Sequence, residues 1–404
     1  MRARIAATIA LFTVVLAGCR VIPGAEAPPV PSRPPPVISQ PAEPGQASNA
    51  FSAGLRAGPP IASVGLRSAD AASALASFRE SCPKLLSRTD ASGLTTGGQW
   101  EPACTAARGW STGDAAAFFD RYFETARVGE GTAFATGYYE PDIAGSRTRL
   151  PGYDVPVYSL PPELTRGWPD DVPLAERTGR APLGRLDASG KFIPYYERSE
   201  IVAGALANRG LEIAWARDPI EFFFLQIQGS GRLVAPDGSV MRIGYAGQNG
   251  REYAGIGALM RERGLIGPGT AYATSMQGIM QYLRDNPAEG RAIMNENKSW
   301  VFFRELTGDG PLGALGVPVR RESSVAADPA YVPLGAPVWL DLDRAETDGL
   351  WIAQDTGGAI KGANRFDTFW GAGADARTIA GGMSARGTAL LLLPKGTVAR
   401  LTQR

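Results

Sequence analysis

Hydrophobic and polar positions recur with different periods in successive stretches of the chain, and the period assigns each stretch an element. Arg2 and Arg4 precede an apolar run from Ile5 to Ala17. At about a dozen residues it is too short to cross a bilayer core of roughly 30 Å and has the make-up of a secretory h-region, giving a signal peptide over 1–18. Between Pro23 and Pro44 nine prolines leave little to bury. That composition predicts an extended tether over 19–60 advancing about 3 Å per residue, with a proline-rich partner-binding segment as the alternative. Helical spacing begins at Asp70, read as an N-cap, and runs to about Leu86 with Leu75 and Phe78 inward. It returns from Ser111 to about Thr125, where Phe118/Tyr122 and Phe119/Phe123 are pairs four apart.

From Ala133 onward short apolar runs between turn residues predict strands, through Gly137–Pro141 and Val155–Tyr158 up to Phe222–Ile227. Helical spacing reappears over Met276–Arg284 and near Gly290–Asn295. Towards the C-terminus the runs Val338–Leu340, Leu350–Ala353 and Leu390–Leu393 alternate with Gly-rich turns, the pattern of a small closed β-barrel. The fold class is mixed α/β and β-rich.

Composition narrows the chemistry. With 404 residues, 44% hydrophobic and 20% charged, the chain has room for two cores of roughly 100 to 200 residues. Lys and Arg number 41 against 40 Asp and Glu, so no broad positive field exists to gather nucleic acid. There is no histidine, which excludes Ser-His-Asp and Cys-His nucleophile systems and every metal site that needs imidazole. Carboxylates, hydroxyls, amides and lysines remain.

The apolar run ends Leu16-Ala17-Gly18-Cys19. Small residues directly before a cysteine resemble the lipobox of bacterial lipoproteins and imply cleavage before Cys19 and its acylation. Arg20 follows in place of the Asp that favours inner-membrane retention, so the resemblance points to the periplasmic side of the outer membrane. An ordinary signal peptide is the alternative. Cys82 and Cys104 are then left as an even pair in an oxidising compartment, where a structural disulfide is expected.

Acid–base cleavage of a glycosidic bond needs a carboxylic acid still protonated near neutral pH, which burial or a neighbouring carboxylate provides. Asp355-Thr356-Gly357-Gly358-Ala359-Ile360-Lys361-Gly362, followed by Arg365-Phe366-Asp367 and Phe369-Trp370-Gly371, supplies two aspartates, backbone open to a ligand, and an aromatic face. Read by itself the segment has a plainer meaning too, since Asp before Gly commonly caps a turn and Trp370 suits a core. Glu140, after two tyrosines, is a rival acid or a turn residue before Pro141. Lys361 is a substrate contact, an aspartate partner or a solvated lysine.

These segments resemble the membrane-bound lytic murein transglycosylase A family. The resemblance rests on Gly137-Tyr138-Tyr139-Glu140-Pro141, Tyr195-Tyr196-Glu197-Arg198-Ser199-Glu200-Ile201, Gln226-Ile227-Gln228-Gly229-Ser230-Gly231 and Tyr245-Ala246-Gly247-Gln248-Asn249-Gly250. It continues through Ser275-Met276-Gln277, Val301-Phe302-Phe303, Val332-Pro333-Leu334-Gly335 and the block from Asp355 to Gly371, covering nearly everything after about Leu66. It implies a double-psi β-barrel built from 61–144 and 223–404, an inserted β domain over 145–222, and a groove between them for a peptidoglycan strand. Three clustered aspartates match Asp328, Asp355 and Asp367, with Asp367 catalytic and the other two positioning it or shifting its pKa.

The implied reaction cuts the bond between N-acetylmuramic acid (MurNAc) and N-acetylglucosamine (GlcNAc) with a single aspartate as acid and base. Tyr138, Tyr139, Glu140, Gln228, Gly229, Ser230, Gln248, Asn249, Gly357, Gly358, Lys361 and Trp370 become candidate glycan contacts. No cofactor and no metal enter this reading. The expected partners are peptidoglycan, the outer membrane through the lipid on Cys19, and other cell-wall enzymes. Two other readings stay open: a barrel that holds polysaccharide without cutting it, and a two-carboxylate hydrolase using Asp367 with Asp355 or Glu140.

Overall fold

The structure, a computed structural model, describes residues 47–402. The signal peptide, Cys19 and the tether up to residue 46 lie outside the described residues. From residue 47 the chain is folded: Asn49 caps a short helix, Ala50–Ala53, and β1 (Leu55–Ala57) pairs antiparallel with β2 (Phe123–Val128). The tether expected over 19–60 therefore ends earlier, because Ala50 and Leu55 have apolar surface to bury and the core takes it. No helix among the described residues is long and apolar enough to cross a membrane.

Between β1 and β2 lie helices Ser68–Ser87, Gly97–Ala107 and Ala115–Tyr122. The first buries Ala71, Ala74, Leu75, Phe78, Cys82 and Leu85 along one face. Asp70 is not its cap as expected. It lies in the first turn, paired with Arg67 at 2.7 Å, where a negative charge suits the helix dipole. The second helix was not foreseen, although its signal is present: Gln99 accepts from the Thr96 backbone at 2.8 Å, half of a capping box. Cys82 and Cys104 are bridged between these two helices, with Cα atoms 5.5 Å apart.

After β2 come β3 (Thr132–Glu140), β4 (Asp142–Ser146) and β5 (Val155–Tyr158), then the small β6 (Thr165–Arg166), β7 (Leu183–Leu186) and β8 (Phe192–Pro194). β9 (Glu212–Ala216), β10 (Ser230–Val234), β11 (Val240–Gln248) and β12 (Val301–Glu305) precede the C-terminal set. That set is β13 (Ser324–Ala327), β14 (Pro337–Leu342), β15 (Gly349–Asp355), β16 (Arg365–Ala372) and β17 (Ser384–Pro394). The largest sheet runs β1-β2-β17-β14-β15-β13-β16-β3, and β3 also pairs with β17. Six strands, β17-β14-β15-β13-β16-β3, thus close into a ring.

Alternation along these strands explains why their sequences are apolar at every position. Val338, Leu340, Trp351, Ala353, Leu391 and Leu393 belong to one core with Phe366 and Trp370. Their neighbours Trp339, Leu350, Ile352, Leu390 and Leu392 belong to another, with Phe78, Trp100, Phe118 and Phe123 of the helical layer. Strands covered on both faces lose the apolar–polar alternation of a half-exposed sheet.

The second sheet runs β12-β11-β10-β4-β9-β5, with β10 parallel to β4. Its strands extend from 142 to 305, a wider span than the 145–222 expected of an inserted β domain. β10, β11 and β12 follow Phe222 in sequence but hydrogen-bond within this sheet. Phe222–Ile227, expected as a strand, is helical within Pro219–Gln228. Asp218 accepts from the Ile220 and Glu221 backbones, Pro219 opens the first turn, and Gly229 ends it left-handed (φ 78°). Apolar residues on all sides hid the helical period, while the caps at both ends define it.

Replacing Cys82 and Cys104 together by Ser should lower unfolding stability by about 3 kcal/mol in the loop-entropy account, with specific activity retained at 25 °C. Chemical denaturation of the oxidised wild type against the variant measures it, and an unchanged midpoint contradicts it.

Candidate active site

The ring brings Asp367 and Asp355 to adjacent positions through register. β16 pairs parallel with β3, setting Asp367 opposite Thr136, and antiparallel with β13, setting it opposite Ala326. β13 in turn pairs parallel with β15, setting Ala326 opposite Asp355. Close passage of the strands is enforced at Gly137, where a Cβ would stand 2.9 Å from Ala380, Met383 and the Trp370 ring nitrogen.

The Thr136 hydroxyl donates to Asp367 Oδ1 at 2.6 Å and accepts from Arg365 Nη2 at 2.8 Å. Among the described residues no protein donor reaches Asp367 Oδ2. Burial raises the Asp367 carboxyl above the ordinary aspartate range, against the opposing pull of Arg365 and the Thr136 hydrogen bond. Desolvation lowers the Arg365 guanidinium in turn, while Asp367 partly restores it.

Asp355 is furnished differently. Its Oδ1 accepts from the Ala314 and Thr356 backbones, both at 2.8 Å, and its Oδ2 accepts from the Tyr138 hydroxyl at 3.0 Å. Burial outweighs these three bonds and, with repulsion from Asp367, brings the carboxyl to about 6. Burial and the two carboxylates hold the Tyr138 phenol protonated far above its ordinary range.

The Asp328 carboxylate is bonded to backbone instead. Buried to 8% exposure, it accepts from Ala330 N at 3.0 Å and from Gly362 N at 2.8 Å, clasping the loop between β15 and β16. Asn364, on the same loop and left-handed (φ 53°), donates to Val128 O at 2.9 Å.

The other candidates divide. Gln228 Oε1 accepts from Tyr139 N at 3.1 Å, Gly229 is the left-handed end of its helix, and Ser230 opens β10 opposite Gly244 of β11. Gln248 accepts from Gly250 N. Gly357 is half-buried, and Gly358 and Lys361 are exposed on the Asp355–Asp367 loop. Four candidates are corrected. Trp370, 2% exposed, packs edge-on against Trp351 and donates to Thr368, so its face is spent in the core. Asn249 is wholly buried and ties Tyr196, Lys298 and Trp300 backbones together. Tyr139 lies in the barrel core. Glu140, 2% exposed, is neither a free acid nor a turn residue: it ends β3 in an ion pair with Arg242 at 2.8 Å. Burial nevertheless raises its carboxyl against that pull.

Sequence reasoning missed Thr136, Arg365 and Tyr253. Thr136 and Arg365 lie two residues before Tyr138 and Asp367 and so share their strand faces, a signal available from alternation alone. Tyr253, on the loop after β11, has its phenol pushed up to about 12 by burial, with Arg198 lowering and Asp367 raising it. Nothing in its sequence position announced that Asp367 acts on it.

On this β-rich α/β fold the closed β-ring sets a half-buried, partner-poor carboxyl beside a second one whose two oxygens are both hydrogen-bonded. Comparison assigns the chain to a family. The MltA-specific insert domain matches residues 134–304 and the 3D domain matches 323–393. A membrane-bound lytic murein transglycosylase from Agrobacterium tumefaciens is 32% identical, with a TM-score of 0.70 over 79% of this chain and 93% of that one. MltA from Neisseria gonorrhoeae is 35% identical, with a TM-score of 0.68 over 85% and 93%. Escherichia coli MltA, solved with bound chitohexaose, is 26% identical, with a TM-score of 0.58 over 81% and 90%. The chain belongs to the membrane-bound lytic murein transglycosylase A family.

A carboxyl whose folded pKa exceeds its unfolded value contributes stability below the unfolded pKa and loses it as pH rises through the folded one. For Asp355 that window runs from the ordinary 3.8 to about 6. Asp355→Asn removes the titration, so the variant should gain on the wild type by on the order of 2 kcal/mol between pH 4 and pH 7.5. Thermal melts at both pH values test this, and a stability difference independent of pH contradicts it.

Proposed function

We propose that this chain is a peptidoglycan lytic transglycosylase in which Asp367 serves first as acid and then as base. Its protonated carboxyl donates to the bridging oxygen as the bond from MurNAc C1 to GlcNAc O4 breaks. The C6 hydroxyl oxygen of the same MurNAc then bonds to C1, and its proton passes to Asp367. The products are a 1,6-anhydro end and a free GlcNAc hydroxyl, and the enzyme returns to its starting state. An ordinary glycosidase places a second carboxylate to act as nucleophile or to activate water. Here the nucleophile is part of the substrate, so proximity replaces the second carboxylate.

The observation that carries this reading is the asymmetry of the two aspartates. Asp355 spends its oxygens on Tyr138, Ala314 and Thr356. Asp367 has one oxygen fixed by Thr136 and the other free for substrate. Asp355 and Asp328 are positioning residues, the former fixed by Tyr138, Ala314 and Thr356 and the latter holding the loop through Gly362. Thr136, bonded to Arg365, fixes the rotamer of the acid. Glu140 lacks a free proton-donating geometry because Arg242 holds it, which speaks against the two-carboxylate hydrolase.

The closed six-stranded ring, mixing parallel pairs β3–β16 and β13–β15 with antiparallel ones, supports the double-psi barrel, and the sheet of residues 142–305 the inserted domain. Glycan contacts are assigned to Gln228, Gly229, Ser230, Gln248, Gly357, Gly358 and Lys361. The bound chitohexaose of the Escherichia coli relative supports an oligosaccharide-binding groove. Lipid on Cys19 would hold the enzyme at the outer membrane with the proline-rich segment as its tether.

Asp367→Asn keeps the shape and removes the proton, and should lower muropeptide release from purified sacculi by 10³-fold or more, within the range of general acid–base catalysis, while pelleting with sacculi as the wild type does. Mass analysis of wild-type products should give anhydro ends. Reducing ends identify a hydrolase, and absence of release identifies a binding protein. Activity should also fall as pH rises through the elevated Asp367 pKa.

A further inference from the structure

The first folded segment, 47–57, reaches by two routes the end of the Asp355–Asp367 loop that leads into β16. The Ala50 N–H donates to Ala330 O at 3.0 Å, and the Tyr331 hydroxyl donates to Ala47 O. Ala330 and Tyr331 form one turn with Asp328, whose main-chain oxygen accepts from the Tyr331 and Val332 backbones at 2.9 Å. That turn clasps Gly362 of the Asp355–Asp367 loop through the Asp328 carboxylate. The second attachment runs through β1. Leu55 pairs with Val128 in β2, Gly129 N donates to Gly54 O at 2.8 Å, and Val128 O receives Asn364. Asn364 O in turn accepts from Phe134 N at 3.0 Å, two residues before Thr136 on β3.

We infer that the strap 47–57 is a positioning element for the catalytic loop, acting through Ala330–Asp328–Gly362 on one side and Val128–Asn364 on the other. Gly362 and Asn364 are the last turn before Arg365 and Asp367, so their placement fixes where β16 begins. Ala50 is fully buried while its neighbour Phe51 is 59% exposed, so the strap is gripped by its small face and leaves the large one in solvent. Releasing it frees the Asp328 turn, lets the loop move and admits water to Asp367. Its carboxyl then falls back towards the ordinary aspartate range. This inference rests on the assignment of Asp367 as the acid. It goes further in making the chain that leads in from the N-terminus part of the catalytic support.

Two substitutions in the full-length chain release the strap with little change of shape. Tyr331→Phe removes the hydroxyl bonded to Ala47. Ala50→Pro removes the N–H given to Ala330 at the first helical position, where proline suits the backbone, and Asn49 before it is already extended (φ −160°, ψ 174°). Phe51→Ala is the control on the same strap. Release of muropeptides from sacculi is followed from pH 4 to 9.

For Tyr331→Phe we expect kcat to fall about tenfold with KM within twofold, and the alkaline limb of kcat/KM to move to lower pH. Ala50→Pro should show the same displacement, and Phe51→Ala should match the wild type. A lowered melting temperature with kcat and the alkaline limb unchanged in Tyr331→Phe would make the strap merely structural and overturn the inference. Wild-type inactivity, or full activity in Asp367→Asn, would instead remove the assignment beneath it.

Discussion

Parallel pairing of β16 with β3 is the constraint on which the site depends. It sets Asp367 against Thr136, one strand away in space and more than two hundred residues away in sequence. The same strand, antiparallel to β13 on its other side, brings in the Asp328 turn, and β13 brings in β15 with Asp355. Closing the ring between β3 and β17 leaves no edge among these strands, so their hydrogen bonds cannot be exchanged for those of another chain. The carboxyls are therefore carried on backbone that has few other places to go.

Burial then does two opposite things at once. It raises both aspartates towards the neutral form, which an acid needs, and it makes any uncompensated charge expensive. The structure manages the second effect by unequal furnishing. Asp355 is given three donors, whereas Asp367 is given one hydroxyl and the field of Arg365. In the proposed reaction the residue left less satisfied is the one that exchanges a proton with the substrate, and incomplete satisfaction of such a group is a common mark of function.

The legible parts of the sequence were those governed by local rules. Helical period gave the elements at Ser68–Ser87, Ala115–Tyr122, Met276–Asp285 and Pro287–Glu296. Apolar runs gave β14, β15 and β17. An even cysteine pair gave the bridge. Where burial is complete, period vanished: Pro219–Gln228 read as a strand, and only Asp218, Pro219 and Gly229 could have corrected it. Register was not legible at all. Nothing local says that Thr136 faces Asp367, or that β10 joins β4 and extends the second sheet past Phe222. Trp370 shows the opposite failure, an aromatic on the strand of Asp367 that alternation turns into the core. The motifs resembling the family supplied the pairing of Asp355 with Asp367 that periodicity could not.

The central claim is that one buried carboxyl, Asp367, holds the proton that the reaction uses and takes back. Its titration can be followed directly by carboxyl carbon NMR on chain labelled at aspartate, with Asp367→Asn identifying the resonance, alongside the pH dependence of kcat/KM. The account predicts a midpoint above the ordinary aspartate range, coincident with the alkaline limb of activity. An Asp367 resonance that titrates at the ordinary value while activity persists well above it would contradict the account.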